Sequence, residues 1–270
     1  MIQKNIGFIG CGNMGKAILN GLLSSSLIHP KQIMAATKTN TSALAIQTQF
    51  QISATTDILS VAKFSDILFL AIKPNLFSLI LPAISNSIKE DCLIISIAAG
   101  QTMAQIEALF QKPIHLIRCM PNTPALVNQS MTAFCQNTNI SSDEQTLVYQ
   151  LLESFGKAEQ IPESLMDAVV GVSGSSPAYV YQFIEAMADA AVADGMPRTM
   201  AYKFAAQSVL GAAKMVLETG KHPGTLKDEV CSPSGTTIEA VSVLEEEGMR
   251  RAVIKAQRAC VEKSREMSKK

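Results

Sequence analysis

Short apolar runs alternate with segments of helical length from the start of the chain to about residue 162. Apolar runs bounded by glycine, proline or polar residues are typical of parallel strands that are covered on both faces. Such runs predict strands over residues 5–10, 32–37, 66–72, 92–98, 114–120 and 131–136. A helix is predicted over residues 14–27. The alternation indicates an α/β domain with a doubly wound sheet of the Rossmann type.

After these strands the pattern becomes helical. Residues 141–156 begin with a capping-box pattern, Ser141 to Glu144, and end on Gly156. Further helices are predicted over residues 177–194, 199–219, 236–247 and 249–267. We therefore predict a Rossmann domain at residues 1–162 and an all-α domain at residues 163–270.

Two of the predicted helices, over residues 178–194 and 199–218, are apolar around most of their circumference. Helices of this kind are buried on most sides. The helical domain is too short to enclose both of them alone, so we predict a homodimer in which they are shared between subunits. The alternative is a compact helical domain packed against its own sheet.

The charge balance and the length of the apolar runs exclude several classes of protein. Lys+Arg and Asp+Glu both number 23, whereas a nucleic-acid-binding protein has a basic excess. We expect no secretory leader, and no apolar run reaches the roughly 20 residues that a membrane helix needs. Six cysteines without CxxC spacing favour reduced thiols. We expect a cytoplasmic protein without a nucleic-acid or membrane partner and without a metal.

The segment GCGNMG, from Gly10 to Gly15, is a GxGxxG motif that follows a predicted strand and opens a helix. This is the context of a dinucleotide-binding loop. Gly10 permits the tight turn, Gly12 lets the backbone approach a pyrophosphate, and Gly15 allows close packing of helix on strand. The helix N-terminus then favours the phosphate charge. We predict that a nicotinamide dinucleotide binds here.

The end of the second predicted strand indicates which dinucleotide binds. NAD sites usually have an Asp or Glu there, for the ribose hydroxyls. This chain has Thr37, Lys38 and Thr39 instead. A cation and hydroxyl donors suit a 2′-phosphate, so we predict NADPH, with NADH as the second donor. The alternative is that Lys38 points to solvent.

Other strand ends fall on the same edge of the sheet as the Gly10 loop. The segment AIKPN places Lys73 after a strand and Pro74 in the first turn of the next helix. The segment IAAG ends in Ala98, Ala99 and Gly100, where a flat ring can pass, and RCMPNTP (118–124) follows a later strand. We expect these segments to border the cofactor.

The segment EVCSPSGTTIEAV, residues 229–241, concentrates small and hydroxyl-bearing residues between two helices. Thr236 and Glu239 have capping-box spacing, which explains one threonine and leaves the other small residues unexplained. A helix start preceded by small residues exposes unpaired N–H groups that form an anion site. We predict that a small carboxylate binds there and that the Thr237 hydroxyl hydrogen-bonds the same ligand. By contrast, Ser176 before Pro177 is best explained as a helix cap.

Five segments together resemble the pyrroline-5-carboxylate reductases, in the family's order and over nearly the whole chain: GFIGCGNMGKAI, DILFLAIKPN, RCMPNTP, GVSGSSPAYV and DEVCSPSGTTIEAV. The resemblance implies NAD(P)H-dependent reduction of 1-pyrroline-5-carboxylate to L-proline, the last step of proline biosynthesis. It also implies a Rossmann domain joined to a helical dimerisation domain, with decamers in some members. The active site would lie between the Rossmann domain and helices that include the partner's.

The resemblance implies roles for individual residues. Ser232, Gly235, Thr236 and Thr237 would bind the substrate, with Thr237 as the catalytic residue that hydrogen-bonds the ring nitrogen. The cofactor-binding residues would be Gly10, Gly12, Asn13, Met14, Gly15, Thr37, Lys38, Ala71, Lys73, Pro74, Ala98, Ala99, Gly100 and Asn122. The family usually has glycine where this chain has Ser234, and a positive φ there would strain the serine mildly.

Reduction of an imine needs orientation more than acid–base groups, because the nitrogen can be protonated in solvent. The three histidines, His29, His115 and His222, have no obvious nucleophile or carboxylate partner in the sequence, and we interpret all three as structural. A hydroxyacid dehydrogenase is the nearest alternative, but the segment SGSSPAYVYQF lacks the lysine base of those enzymes. The second alternative is a non-catalytic NADPH-binding protein, which would not need the hydroxyl-rich loop.

Overall fold

The computed structural model of the protein describes residues 2–268. Packing divides these residues into two compact units. The first contains the described residues up to Gly174 and those from Cys260 onward, and the second contains Ser175–Ala259. Residues 163–174 and 260–268, which belong to the predicted helical domain, pack with the first unit, and the predicted domain bounds stay a prediction.

Eight strands form one sheet within the described residues. They are β1 (Ile6–Ile9), β2 (Ile33–Ala36), β3 (Ser53–Thr55), β4 (Ile67–Leu70), β5 (Leu93–Ser96), β6 (His115–Met120), β7 (Ser130–Gln136) and β8 (Gly156–Gln160). Their spatial order is β3-β2-β1-β4-β5-β6-β7-β8. The pairs are parallel except β6 with β7, which are antiparallel. The order reverses direction beside β1, which is the switch point where doubly wound sheets bind ligands.

Helices connect the strands and form the whole second unit. They are α1 (Asn13–Ser24), α2 (Asn40–Phe50), α3 (Ile58–Phe64), α4 (Phe77–Ser85), α5 (Met103–Phe110), α6 (Ser142–Glu153), α7 (Met166–Val169), α8 (Ser176–Ala193), α9 (Arg198–Thr219), α10 (Pro223–Val230), α11 (Thr236–Glu246) and α12 (Met249–Ser268). Short 3₁₀ turns lie at Pro30–Gln32, Pro74–Leu76, Thr123–Val127 and Glu163–Leu165, and a π-helical turn lies at Val170–Gly174. None of the helices in the described part of the chain combines the length and apolarity that crossing a bilayer requires.

Both faces of the sheet are covered, as the apolar runs predict. Phe69 belongs to one hydrophobic cluster, whereas its neighbours Leu68 and Leu70 belong to another. Successive residues of a strand point to opposite faces, so the two clusters lie on the two sides of the sheet. On the first side the rings of Phe8 and Phe69 stack with centroids 4.8 Å apart.

Several elements differ from the sequence prediction. The predictions missed β3, β8 and α10, and they wrongly assigned Gly156 to the end of a helix. α6 ends at Glu153, and Gly156 begins β8. A Cβ at Gly156 would lie 2.1 Å from the carbonyl oxygen of Ser130 on β7. The glycine is therefore needed because two strands approach closely, whereas the polar sequence of β8 gives no strand signal.

The second unit buries little of its apolar surface within one chain. Its fully buried helical residues within the described chain are the alanines Ala188, Ala201 and Ala205. Phe204 is 63% exposed and Leu217 is 84% exposed. Large exposed apolar faces mark interaction surfaces. The apolar helices were predicted to be shared between subunits, and these exposures are what one subunit alone would then show.

Candidate active site

The Gly10 loop lies between the ends of β2 and β4. The N–H of Gly10 donates to the carbonyl of Ala36 at 2.9 Å, and the N–H of Ala71 donates to the carbonyl of Ile9 at 2.9 Å. Gly10 has φ +86°, and a Cβ there would lie 2.6 Å from the carbonyl oxygen of Ala71. Both the backbone conformation and the space exclude a side chain at this turn.

Gly12 differs from Gly10 because it faces open space. A Cβ at Gly12 would meet no atom within 4 Å. Gly12 precedes α1 and supplies no side-chain cap to its N-terminus, and the exposed Asn13 opens the helix. The N–H groups of the first turn therefore have no partner within the helix. An uncapped helix start with room for a ligand fits a pyrophosphate.

Gly15 is less constrained than the motif predicts. A Cβ there would lie 3.5 Å from the Cβ of Ala71, which is ordinary van der Waals contact. Alanine occurs at this position of the motif for the same reason. Beside it, burial raises the pKa of the Cys11 thiol to about 12, so that thiol is protonated and unreactive at neutral pH.

The end of β2 bears a threonine and a lysine. The Thr37 hydroxyl donates to the carbonyl of Thr39 at 3.0 Å, and Lys38 is exposed. The first carboxylate that follows in the sequence, Asp57, accepts from the N–H of Leu59 at 2.9 Å and from the Ser60 hydroxyl at 2.5 Å. These bonds cap α3. Asp57 is thus committed to a helix start, and the residues at the end of β2 are uncharged or cationic.

The ends of β4 and β5 complete this edge of the sheet. After β4, the exposed Lys73 precedes the turn that Pro74 begins. After β5, Ala98 and Gly100 are buried and Ala99 is partly buried. The parallel strands β1, β2, β4 and β5 place these segments at the same edge as the Gly10 loop.

Asn122 is held by protein groups. Its side-chain oxygen accepts from the Ser130 hydroxyl and from the N–H of Met131, both at 3.0 Å. Its amide donates to the carbonyl of Ser173 at 3.0 Å. This network fixes the loop after β6, and the geometry gives the Asn122 side chain a structural function. Its predicted contact with the cofactor stays a prediction.

The loop before α11 ends in an uncapped helix start. The N–H of Gly235 donates to the carbonyl of Ser232 at 3.1 Å, and Ser234 between them has φ +57°. α11 begins at Thr236, and Gly235 at the N-cap supplies no side chain. The expected capping box of Thr236 and Glu239 is therefore wrong, because Thr236 lies inside the helix. The N–H groups of the first turn have no partner within α11 and can receive an anion.

Thr237 lies in the first turn of α11 and is partly buried, whereas Ser232 and Thr236 are exposed. A Cβ at Gly235 would lie 2.3 Å from the Ser232 hydroxyl oxygen. A side chain at position 235 would therefore require the Ser232 hydroxyl to move. The four predicted substrate residues thus share one turn and one helix start. The other predicted cap, at Ser176, is wrong, because α8 begins at Ser176 itself.

The three histidines have structural contacts. His29 Nδ1 accepts from the N–H of Lys31 at 3.2 Å, and His222 Nδ1 accepts from the N–H of Gly224 at 3.0 Å. The expectation that none has a carboxylate partner is wrong for His115, whose Nδ1 lies 2.7 Å from Glu144 Oε1. Within residues 2–268 no cluster of His, Cys, Asp and Glu is arranged to hold a metal ion.

Sequence reasoning missed a buried ion pair near the edge of the sheet. Arg118 is 6% exposed, and its guanidinium lies 2.7 Å from Glu163 Oε1. The same oxygen accepts from the N–H of Met103, the first residue of α5, at 2.8 Å. An arginine within an apolar strand signals a buried partner, but the sequence does not say which acid fills that position.

Comparisons with known proteins agree with this geometry. Residues 163–267 match the family described as pyrroline-5-carboxylate reductase dimerisation, and residues 5–100 match the family described as NADP oxidoreductase, coenzyme F420-dependent. The pyrroline-5-carboxylate reductase of Escherichia coli (strain K12) is 54% identical over 268 residues, which cover 99% of this chain and 100% of that protein.

The chain belongs to the pyrroline-5-carboxylate reductase family.

Solved structures of this family are similar over the whole chain. The pyrroline-5-carboxylate reductase of Coxiella burnetii matches with a TM-score of 0.92 at 32% identity, over 100% of both chains. The pyrroline carboxylate reductase of Plasmodium falciparum, solved with NADP bound, matches with a TM-score of 0.91 at 29% identity, over 99% of both chains. The predicted family and the predicted fold, a Rossmann sheet followed by a helical dimerisation domain, are confirmed. The full-length matches do not favour a hydroxyacid dehydrogenase or a non-catalytic nucleotide-binding protein.

Proposed function

We propose that this chain reduces 1-pyrroline-5-carboxylate to L-proline with NAD(P)H. The observation that carries the proposal is the identity of 54% to the Escherichia coli reductase over the whole length of both chains. The glycine loop at the sheet edge and the hydroxyl-rich start of α11 support it, because they offer sites for a dinucleotide and for a small carboxylate.

Gly12 and the first N–H groups of α1 would hold the pyrophosphate of the cofactor. The open space at Gly12 and the uncapped start of α1 fit that group. Ala71, Lys73 and Pro74 after β4, and Ala98 to Gly100 after β5, would border the rest of the cofactor. When bound, NAD(P)H supplies the hydride that the imine carbon accepts.

The free N–H groups at the start of α11 would bind the substrate carboxylate. Ser232, Gly235 and Thr236 shape that turn, and the hydroxyl of Thr237 would hydrogen-bond the ring nitrogen. The imine nitrogen takes its proton from water. The carbon of the protonated C=N bond then accepts a hydride, which leaves a C–H carbon beside an N–H. The chain's part in this chemistry is to orient the ring, which by itself can lower a barrier by several kcal/mol.

We infer a preference for NADPH over NADH from the end of β2. The exposed ammonium of Lys38 offers a charge and N–H donors to a 2′-phosphate, whereas the Thr37 hydroxyl already donates its one hydrogen to the carbonyl of Thr39. A carboxylate there would instead favour the free hydroxyls of NAD.

The helical region matches a dimerisation family, which supports self-association of this chain. We propose a homodimer, with an assembly as large as a decamer as the further prediction that light scattering would test. A cytoplasmic location also stays a proposal. It is supported by the cysteines, which form no disulfide within residues 2–268.

The experiment that tests the function is a spectrophotometric assay of the purified protein with pyrroline-5-carboxylate and each nicotinamide. We expect oxidation of NADPH that depends on the imine and yields an equal amount of proline. Oxidation of a hydroxyacid without any imine reduction would contradict the proposal. Binding of NADPH without turnover would contradict it as well.

A further inference from the structure

The last turn of α12 contacts the loop that follows β5. Gly100 in this loop is buried and has φ +72°. A Cβ on Gly100 would lie 3.4 Å from the Cβ of Met267 and 3.9 Å from its Cε. Met267 therefore packs directly over the glycine, although residues 100 and 267 are far apart in the sequence.

Gln105 links the same two segments through a single amide group. Its Oε1 accepts from the N–H of Thr102 at 2.8 Å and caps the start of α5. Its Nε2 donates to the carbonyl of Ser268 at 3.1 Å. One side chain thus joins the beginning of α5, which starts three residues after Gly100, to the end of α12.

The end of α12 is itself anchored at Asp167. The buried Ser264 donates from its hydroxyl to Asp167 Oδ1 at 2.6 Å. The guanidinium of Arg265 lies 4.0 Å from the other oxygen of Asp167. Met267 and Ser268 therefore contact the loop from a fixed helix end.

We propose that residues 264–268 are a positioning element, which holds Gly100 and the start of α5 so that the β5 loop fits the nicotinamide half of the cofactor. The proposal rests on the proposed function, in which Ala98 to Gly100 border the cofactor. The adenine half would lie at the end of β2 and is independent of this contact. If residues 264–268 position this loop, their alteration should weaken binding of the nicotinamide half of the dinucleotide and leave binding of the adenine half unchanged.

Gln105→Glu is the sharpest test. The carboxylate keeps the acceptor that caps Thr102, since Glu and Gln both serve in a capping box, but it loses the donor to Ser268. Direct titration would measure the Kd for NADPH and for 2′,5′-ADP, which contains only the adenine half. We expect the Kd for NADPH to rise about fivefold, the factor expected for one lost hydrogen bond, and the Kd for 2′,5′-ADP to stay unchanged.

A second variant and two controls make the result specific. Met267→Ala removes the Cε that packs against Gly100 but keeps the Cβ, so it should produce the same split to a smaller degree, whereas Met267→Leu preserves the volume and should bind like the parent. Gln150→Glu makes the same charge change at an exposed position of α6 and should leave both affinities unchanged.

The outcomes separate this proposal from the proposed function. If the parent protein binds NADPH and reduces the imine while Gln105→Glu and Met267→Ala bind NADPH normally, the positioning role is overturned and the function stands. Equal weakening of NADPH and 2′,5′-ADP would overturn it too, because it indicates general loosening. If the parent neither binds NADPH nor reduces the imine, the proposed function is overturned, and the positioning role, which rests on it, is overturned with it.

Discussion

The N–H of Gly235 donates a 3.1 Å hydrogen bond to the carbonyl of Ser232, and the turn that this bond closes holds Ser234 at φ +57°. A residue with a Cβ is disfavoured in this conformation. The sequence predicts mild strain at Ser234 if φ there is positive, and the structure has that positive φ. The turn directly precedes α11, so its shape sets the entry to the proposed carboxylate site.

Replacement of Ser234 tests whether the turn needs this conformation. Ser234→Gly should change the free energy of unfolding by less than roughly 0.5 kcal/mol, because relief of strain and added entropy of the unfolded chain oppose each other. Ser234→Val should cost roughly 1–3 kcal/mol and raise KM for the imine, since a β-branched residue strongly resists positive φ. Urea unfolding and steady-state kinetics measure the two effects.

The control for Ser234→Val is Ser78→Val, at an exposed position of α4 with negative φ. It should cost only a few tenths of a kcal/mol. Equal costs at both positions would show that the turn accepts the larger side chain without strain.

Thr237→Ala tests the hydroxyl that is proposed to contact the ring nitrogen. We expect kcat to fall roughly tenfold to a hundredfold, because a poorly oriented ring seldom reaches the reactive geometry. The Kd for NADPH should stay within about twofold, since the proposed dinucleotide site lies at the glycine loop. Thr237→Ser should retain most of the activity. Thr225→Ala, on α10, should leave both kcat and the Kd for NADPH unchanged. Loss of NADPH binding in Thr237→Ala would show that this loop belongs to the cofactor site instead.

Gly10 and Gly12 of the proposed dinucleotide loop should respond to alanine in opposite ways. Gly12→Ala adds a Cβ to open space, so the free energy of unfolding should change by less than roughly 1 kcal/mol while the Kd for NADPH rises at least about tenfold. Gly10→Ala forces a Cβ to 2.6 Å from the carbonyl of Ala71 at φ +86° and should destabilise the fold by roughly 2 kcal/mol or more. Thermal unfolding and NADPH titration distinguish the two. A Gly12→Ala protein that binds NADPH normally would exclude close backbone approach there.

The parts of the fold that the sequence predicted are those where apolar periodicity and glycine chemistry act locally. The strands of the Rossmann core and the GxGxxG turn at Gly10 are such cases. β8 was missed because its alternating residues are polar, and its pairing depends on Gly156 meeting Ser130 on a strand from elsewhere in the chain. The sequence around Gly156 does not indicate that the two strands approach so closely.

The same limit applies to the candidate site. The threonine-rich start of α11 was visible in the sequence, whereas its capping was misjudged. The contact of Met267 with Gly100, and that of Arg118 with Glu163, join segments that are distant in sequence. A capping-box search would have found Thr102 and Gln105, but the second bond of Gln105 to Ser268 follows from tertiary packing alone.

Lys38→Ala tests the predicted preference for NADPH. Removal of the ammonium should raise the Kd for NADPH roughly tenfold and leave that for NADH nearly unchanged, because only the former has a 2′-phosphate. The effect should shrink at high salt, since Lys38 is exposed. Lys31→Ala, at another exposed position, is the control. Equal weakening of both dinucleotides would remove Lys38 from the 2′-phosphate.

The capping box at the start of α6 predicts a pH-dependent contribution to stability. Partial burial raises the pKa of Glu144, but hydrogen bonds from the N–H and hydroxyl of Ser141 and from His115 outweigh it, so the pKa lies below its usual value of 4.5. The carboxylate's contribution is therefore complete above the usual pKa and is lost as the pH falls through the depressed one.

Glu144→Gln removes this titration and keeps a side chain that can cap. At neutral pH we expect the variant to be about 1 kcal/mol less stable than the parent, because it loses the bonds made to a charged acceptor. The difference should shrink toward zero as the pH falls below the depressed pKa of Glu144, where the parent carboxyl is also neutral. Urea unfolding at a series of pH values measures it. Glu153→Gln, at the exposed end of the same helix, should show no such loss, and a deficit in Glu144→Gln that stays constant with pH would mean that charge has no part in the cap.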